Sequence, residues 1–200
     1  PEELEKHGVK SYAITESLIH VMKKNVVSLE DTYADLANLG VIFDVQDKAQ
    51  QVIDGMKSRA AAVEAKLAQI DTAKPLNVFI HPTWGAPDQP PRSNGAQAMP
   101  SALVAMVEAR NIFADVDSSW IKVTWEEVVA RNPDVILLLE AGTTNGEERK
   151  KLLLENPALQ GVNAVKDGRV YIIRIEDAYP GPRAIRGLEL IARGLYPGKF

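Results

Sequence analysis

The 200-residue chain contains no cysteine, which excludes a disulfide-stapled miniprotein and removes thiolates from any metal site. That absence fits an oxidising compartment and many cytoplasmic proteins equally. No continuous apolar run approaches the ~20 residues that a membrane-spanning helix needs, and no basic segment followed by an apolar core opens the chain as a signal peptide. Neither sign of charge dominates. With 23 basic and 27 acidic side chains the formal charge is −4, which argues against nonspecific nucleic-acid binding. Aromatics are scarce at 6%, yet 46% hydrophobic residues give a globular rather than a disordered composition.

Several catalytic signatures are missing too. The chain has no P-loop, no GxGxxG after a strand, no HExxH and no GxSxG. His7, His20 and His81 lack any short metal-ligand spacing. Glu126 and Glu127 are adjacent, so they do not share a helix face, and TWEE at 124–127 reads as a capping box that already occupies Glu127. Arg149, Lys150 and Lys151 sit beside Glu147 and Glu148 as a solvated helix face.

What is present alternates between strand and helix patterns. Residues 9–14 (VKSYAI) read as a short strand bounded by Gly8. Ser28, with Asp31 three positions on, opens a helix that Gly40 should stop. From 47 to 70, Ala49, Val52, Ile53, Met56, Ala60, Val63, Leu67 and Ile70 recur at steps of three and four, which predicts a long helix with one apolar stripe. The run LNVFIHP at 76–82 predicts a buried strand and leads into a loop rich in proline and glycine. Helix character resumes over 101–109, a strand is expected at 120–123, and 134–139 (DVILLL), apolar without a break after Asp134, is the clearest strand. A helix over 147–154, a KDGR turn before the strand VYII, and a final amphipathic helix from Ala184 complete the pattern.

Two segments suggest a ligand cleft. Trp84 and Arg92 lie in the proline-rich loop after a central strand, and Tyr179 and Arg183 bracket PGP where a strand passes into the last helix. Aromatic faces suit the apolar parts of a chelate or ring, and arginine suits its anionic oxygens. Packing of the loops themselves would account for the same residues.

Five segments in register then carry a family resemblance: SLEDTYADLANLG followed by the long helix, MPSALVAMVEARNIFAD, VTWEEVVARNPDVILLL, NPALQGVNAVKDGRVYII and GPRAIRGLELIARGLYPGKF. Together they cover almost the whole chain, which resembles the substrate-binding proteins of bacterial ABC importers for ferric siderophores, haem and cobalamin. The resemblance implies an α/β fold of two Rossmann-like lobes joined by a long helix, with the N-terminal lobe incomplete. Residues 1–46 would be the remainder of that lobe, 47–71 the connecting helix, and 72–200 the C-terminal ligand-binding lobe.

It further implies a signal or lipid anchor upstream and a periplasmic or membrane-anchored extracellular location. The function implied is capture of a ferric siderophore or related metal chelate for an ABC importer permease, without catalysis and without a cofactor of its own. Trp84, Arg92, Tyr179 and Arg183 are the ligand-binding candidates, and Glu147 or Glu148 the permease contact. Surface left open by an incomplete lobe would favour self-association. Haem, cobalamin, metal or oxyanion binding is the alternative within the family. A noncatalytic interaction module is the alternative outside it, and an α/β hydrolase or reductase lacks local motifs.

Overall fold

The structure, a computed structural model, describes residues 2–84, 89–142 and 144–200. In chain order the elements are α1 (Glu2–Lys6), a 3-10 turn (Thr15–Leu18), α2 (Leu29–Ile42), α3 (Gln46–Leu67), β1 (Asn77–Pro82), β2 (Arg92–Ser93), α4 (Met99–Met106), β3 (Arg110–Asn111) and β4 (Ile121–Lys122). They continue with α5 (Trp125–Arg131), β5 (Val135–Glu140), α6 (Gly146–Glu155), a second 3-10 turn (Pro157–Leu159), α7 (Asn163–Lys166), β6 (Val170–Arg174), α8 (Ile175–Ala178) and α9 (Ala184–Leu195).

The two strongest apolar runs become the adjacent central strands of a parallel sheet ordered β3-β1-β5-β6. Val78 pairs with Val135 and Pro82 with Leu139, so the two runs stay in register along their length. Helices cover both faces, which is why these strands are apolar throughout instead of alternating with polar residues. Val78, Ile80, Leu137 and Leu139 face a core shared with α3, α4 and α9. Phe79, Ile136 and Leu138 face the opposite core, built with Val128 of α5 and Leu153 of α6.

Of the capping pairs in the sequence, two hold. The Ser28 N–H donates to the Asp31 carboxylate at 2.8 Å, and the Thr124 N–H donates to Glu127 at 2.7 Å while Thr124 Oγ1 accepts from the Glu127 N–H. The long helix forms as its stripe predicts, burying Ile53, Met56, Val63 and Leu67, and Arg59 clamps it to α9 through two 2.8 Å bonds to Glu189.

Three local expectations need correction. No strand forms at 9–14: among the described residues no other strand runs beside it, and Tyr12 and Thr15 bond Asp35 of α2 instead. Gly40 does not stop α2, which continues to Ile42. A Cβ on Gly40 would lie 2.6 Å from that of Ala49, so its bareness lets α2 and α3 approach. The strand expected at 120–123 shrinks to Ile121–Lys122, paired antiparallel with Arg92–Ser93 from the proline-rich loop. Gly85 to Asp88 of that loop, and Thr143 of the loop after β5, lie outside the described residues.

Candidate ligand-binding cleft

A cleft of about 570 Å³ opens beside the carboxyl ends of the parallel strands, where open α/β sheets place their ligands. Thr83 ties the ends of β1 and β5 together: its N–H and its hydroxyl both donate to the Leu139 carbonyl, and its hydroxyl accepts from the Ala141 N–H. The next residue, Trp84, therefore leaves a fixed platform and projects into the cleft with 45% of its surface exposed.

Trp84 stacks on Trp120, with ring centroids 4.6 Å apart and 22° between planes, and Trp120 stacks on Tyr179 at 5.3 Å and 11°. These three rings form a continuous aromatic ladder along one wall. Trp120 is held by backbone. Gln97 accepts a bond from Ser119, its N–H donates to Ser118, and the Ala96 N–H donates to Val116. Gly95 permits that approach, because a Cβ there would stand 2.4 Å from the Val116 oxygen. Buried Asn94 joins the pieces, its amide donating to Tyr179 Oη at 3.2 Å and to the Ser119 carbonyl at 2.9 Å. Burial raises the Tyr179 phenol above its ordinary value and keeps it neutral.

A second part of the lining comes from Ile14, Glu16, Ser17, Ile19 and His20. Asp35 of α2 pins this turn, accepting from the Thr15 N–H at 2.9 Å, from Thr15 Oγ1 at 3.0 Å and from Tyr12 Oη at 2.7 Å. Burial pushes the Glu16 carboxyl up to about 7, with only a bond from the Met99 N–H, 3.3 Å long, acting the other way. Ile175, Glu176 and Pro180 line the remainder. Glu176 is held below the usual carboxylate range by its own backbone N–H and by Arg174, 3.3 Å away.

The structure thus brings Trp84 and Tyr179 into one cleft, and leaves Arg92 and Arg183 out of its described lining. Arg92 lies exposed on the β2–β4 ribbon. Arg183 donates from Nε to Asp177 at 2.7 Å, and Arg186 flanks the same fully buried carboxylate. These arginines follow the needs of the α8–α9 joint. Glu147 and Glu148 are exposed in the first turn of α6, their N–H groups capped by Asn145. Sequence reasoning misses Trp120 and Glu16. Trp120 could have been found as an indole at the entry of a strand too short to bury it, whereas Glu16 gives no local signal.

A second hollow of about 550 Å³ lies against α3, near Thr72 and Glu108, on segments that enter β1 and β3. It is at the sheet's amino edge, away from the aromatic ladder.

His81, beside the cleft, stacks on Phe79 at 5.4 Å and meets Trp125 edge-on at 5.6 Å, its Nδ1 bonded to the Arg92 carbonyl at 3.1 Å. Desolvation first, and then Arg149, lower the imidazole from 6.5 to about 4. The unfolded chain takes up this proton below about 6.5 and the folded chain only near 4. His81 therefore costs stability progressively as pH falls through that window, by up to roughly 3 kcal/mol. Glu16 acts in the opposite sense, since its raised value favours the folded state as pH falls from about 7. The expected result is a urea midpoint that falls less between pH 7 and pH 4.5 in His81→Gln than in the original chain; parallel profiles would contradict the burial of this ring.

The chain belongs to the periplasmic binding protein family: the family model of that description matches residues 8–176. Among curated relatives it is 29% identical over 174 residues to an uncharacterized ABC transporter substrate-binding lipoprotein, YvrC, of Bacillus subtilis strain 168, covering 86% of this chain and 52% of the relative. The chain thus spans about half the length of the curated relative it matches. A periplasmic binding protein from Veillonella parvula superposes with a TM-score of 0.82 at 24% identity, over 97% of this chain and 64% of that one. An ABC-type Fe3+-hydroxamate transport protein from Saccharomonospora viridis superposes with a TM-score of 0.74 at 23% identity, over 85% of this chain and 57% of that one. At these identities the likeness to solved structures establishes the α/β fold.

Proposed function

We propose that the chain is part of the substrate-binding component of an ABC importer, which captures a ferric siderophore or a related metal chelate outside the cytoplasmic membrane and hands it to the permease. The observation that carries this reading is the Trp84–Trp120–Tyr179 ladder, standing in a cleft at the carboxyl edge of the sheet in a chain of this family. The edges and outer faces of such a stack offer apolar contact to the organic envelope of a chelate, and recognition of that kind requires no covalent step. The substrate-binding lipoprotein relative and the Fe3+-hydroxamate transport structure support the same reading. In it, residues 1–46 belong to an N-terminal lobe, 47–71 form the connecting helix and 72–200 the C-terminal lobe.

Titration of tryptophan fluorescence with ferric hydroxamates, ferric catecholates, haem and cobalamin tests it, with inner-filter controls. Saturable quenching by one class is expected, because two of the three tryptophans stand in the cleft. No response to any of them would remove the chelate-capture reading.

Glu147 and Glu148 are the proposed permease contacts, exposed at the start of α6. Reversing both to lysine is expected to lower permease association about tenfold and leave chelate affinity unchanged within about twofold, since exposed interfacial charges act mainly on encounter and orientation. Binding of permease-containing vesicles checks the first quantity and fluorescence titration the second.

A further inference from the structure

We propose that this cleft selects a positively charged chelate, with Glu16 as the residue that senses the charge. The inference rests on the chelate-capture reading and goes beyond it by naming the charge class of the ligand and the residue that sets it.

The lining carries the argument. Among the described residues of the cleft wall there is no lysine or arginine, while Glu16 and Glu176 both line it. An anionic chelate would meet the Glu16 carboxyl with no basic side chain in the described lining to answer it; a cation finds a favourable partner in that carboxyl. The arginines that sequence reasoning assigns to anionic oxygens stand outside the described lining: Arg183 donates to Asp177 and adds its charge to that of Arg174 beside Glu176, and Arg92 lies exposed on the β2–β4 ribbon.

The two carboxyl groups are not equivalent. Glu176 is already answered by Arg174 at 3.3 Å. Glu16 is bonded by the Met99 N–H at 3.3 Å and by no cation among the described residues. The other titratable groups of the lining are the neutral Tyr179 phenol, Glu176, and His20 on its own segment. Asp35 fixes the turn that carries Glu16, so the carboxyl is aimed by a buried network that does not depend on ligand. Holding an unpaired carboxyl in a desolvated site opposes ionisation, and burial pushes Glu16 up to about 7. A ligand ammonium placed there supplies the missing counter-charge and favours the ionised form. Binding of such a ligand then strengthens as pH rises through 7, whereas an uncharged ligand gains nothing from that ionisation.

The test uses a matched pair of probes on the 200-residue chain: ferric desferrioxamine B, whose pendant ammonium makes the complex cationic, and its N-acetylated derivative, which is uncharged and otherwise alike. At pH 8 the cationic complex is expected to bind about tenfold more tightly, the size of one charge-assisted contact, with the advantage shrinking by pH 6. Glu16→Gln should abolish most of that advantage and its pH dependence, bringing the affinities of the two complexes to within about twofold of one another. Glu30→Gln, an exposed carboxyl on α2 outside the cleft lining, should retain both, which ties the effect to the position of Glu16.

Equal affinity for the two probes, or preference for the acetylated one, overturns the inference in a measurement that needs no variant. Tighter binding of a ferric catecholate, which is anionic, overturns it as well. If neither hydroxamate complex binds, the inference fails and the wider ligand panel decides the rest: saturable binding of any other chelate keeps the capture reading, and silence across the panel removes both.

Discussion

Gly187→Ala is expected to lower the thermal midpoint by roughly 10 °C, equivalent to a loss of at least ~3 kcal/mol. Gly187 lies within α9, where alanine is the better helix former, so intrinsic propensity predicts a small gain. Contact reverses the sign. A Cβ at this position would stand 1.9 Å from the Asp177 carbonyl oxygen and 2.8 Å from its carbon, separations that only a shift of the backbone can relieve. The shift would part α8 from α9, break the seat of the fully buried Asp177 between Arg183 and Arg186, and displace Glu176 and Tyr179 from the cleft. Calorimetry and chelate titration on one preparation read both consequences. A midpoint equal to that of the original chain would mean that α8 and α9 are not so closely joined.

Trp120→Ala is expected to weaken chelate binding by at least about thirtyfold, near 2 kcal/mol, while moving the thermal midpoint by less than roughly 3 °C. Trp120 is the middle rung of the ladder, so its loss separates Trp84 from Tyr179 and removes two stacked contacts at once. Its indole is 38% exposed, so the fold loses little by its truncation. Calorimetric titration is the suitable measurement, because the variant also loses a fluorophore. Arg92→Ala is the contrast, with affinity retained within about twofold; the reverse ranking of the two variants would move the binding site to the β2–β4 ribbon.

Much of the fold was legible because its elements announce themselves locally. The stripe from Ala49 to Ile70 fixes α3, the boxes at Ser28 and Thr124 mark the starts of α2 and α5, and the apolar runs after Leu76 and Pro133 mark β1 and β5. The failures share one cause. Residues 9–14 have the composition of a strand, but a strand exists only beside a partner, and Asp35 claims the polar groups of Tyr12 and Thr15. Gly40 has the composition of a helix stop, but the approach of Ala49 gives it a different use.

The cleft was legible in part. Trp84 and Tyr179 stand out as aromatics in loops at strand ends, and both line it; Arg92 and Arg183 stand out equally by composition and do not. A free guanidinium and one already bonded to a buried aspartate look identical in a sequence.

By itself, then, the sequence determined the order and kind of the main elements, the α/β class and, through five segments in register, the family. Those properties depend on neighbours three, four or a few residues away, which the chain carries within itself. Only the tertiary structure decided that Trp120 bridges Trp84 and Tyr179, that Glu16 lines the same cleft, and that Arg183 serves Asp177. These depend on contacts between segments far apart in the chain, set by the packing of α2 on α3, of α3 on α9 and of α8 against α9, and no local pattern encodes the partner of a side chain across such a gap.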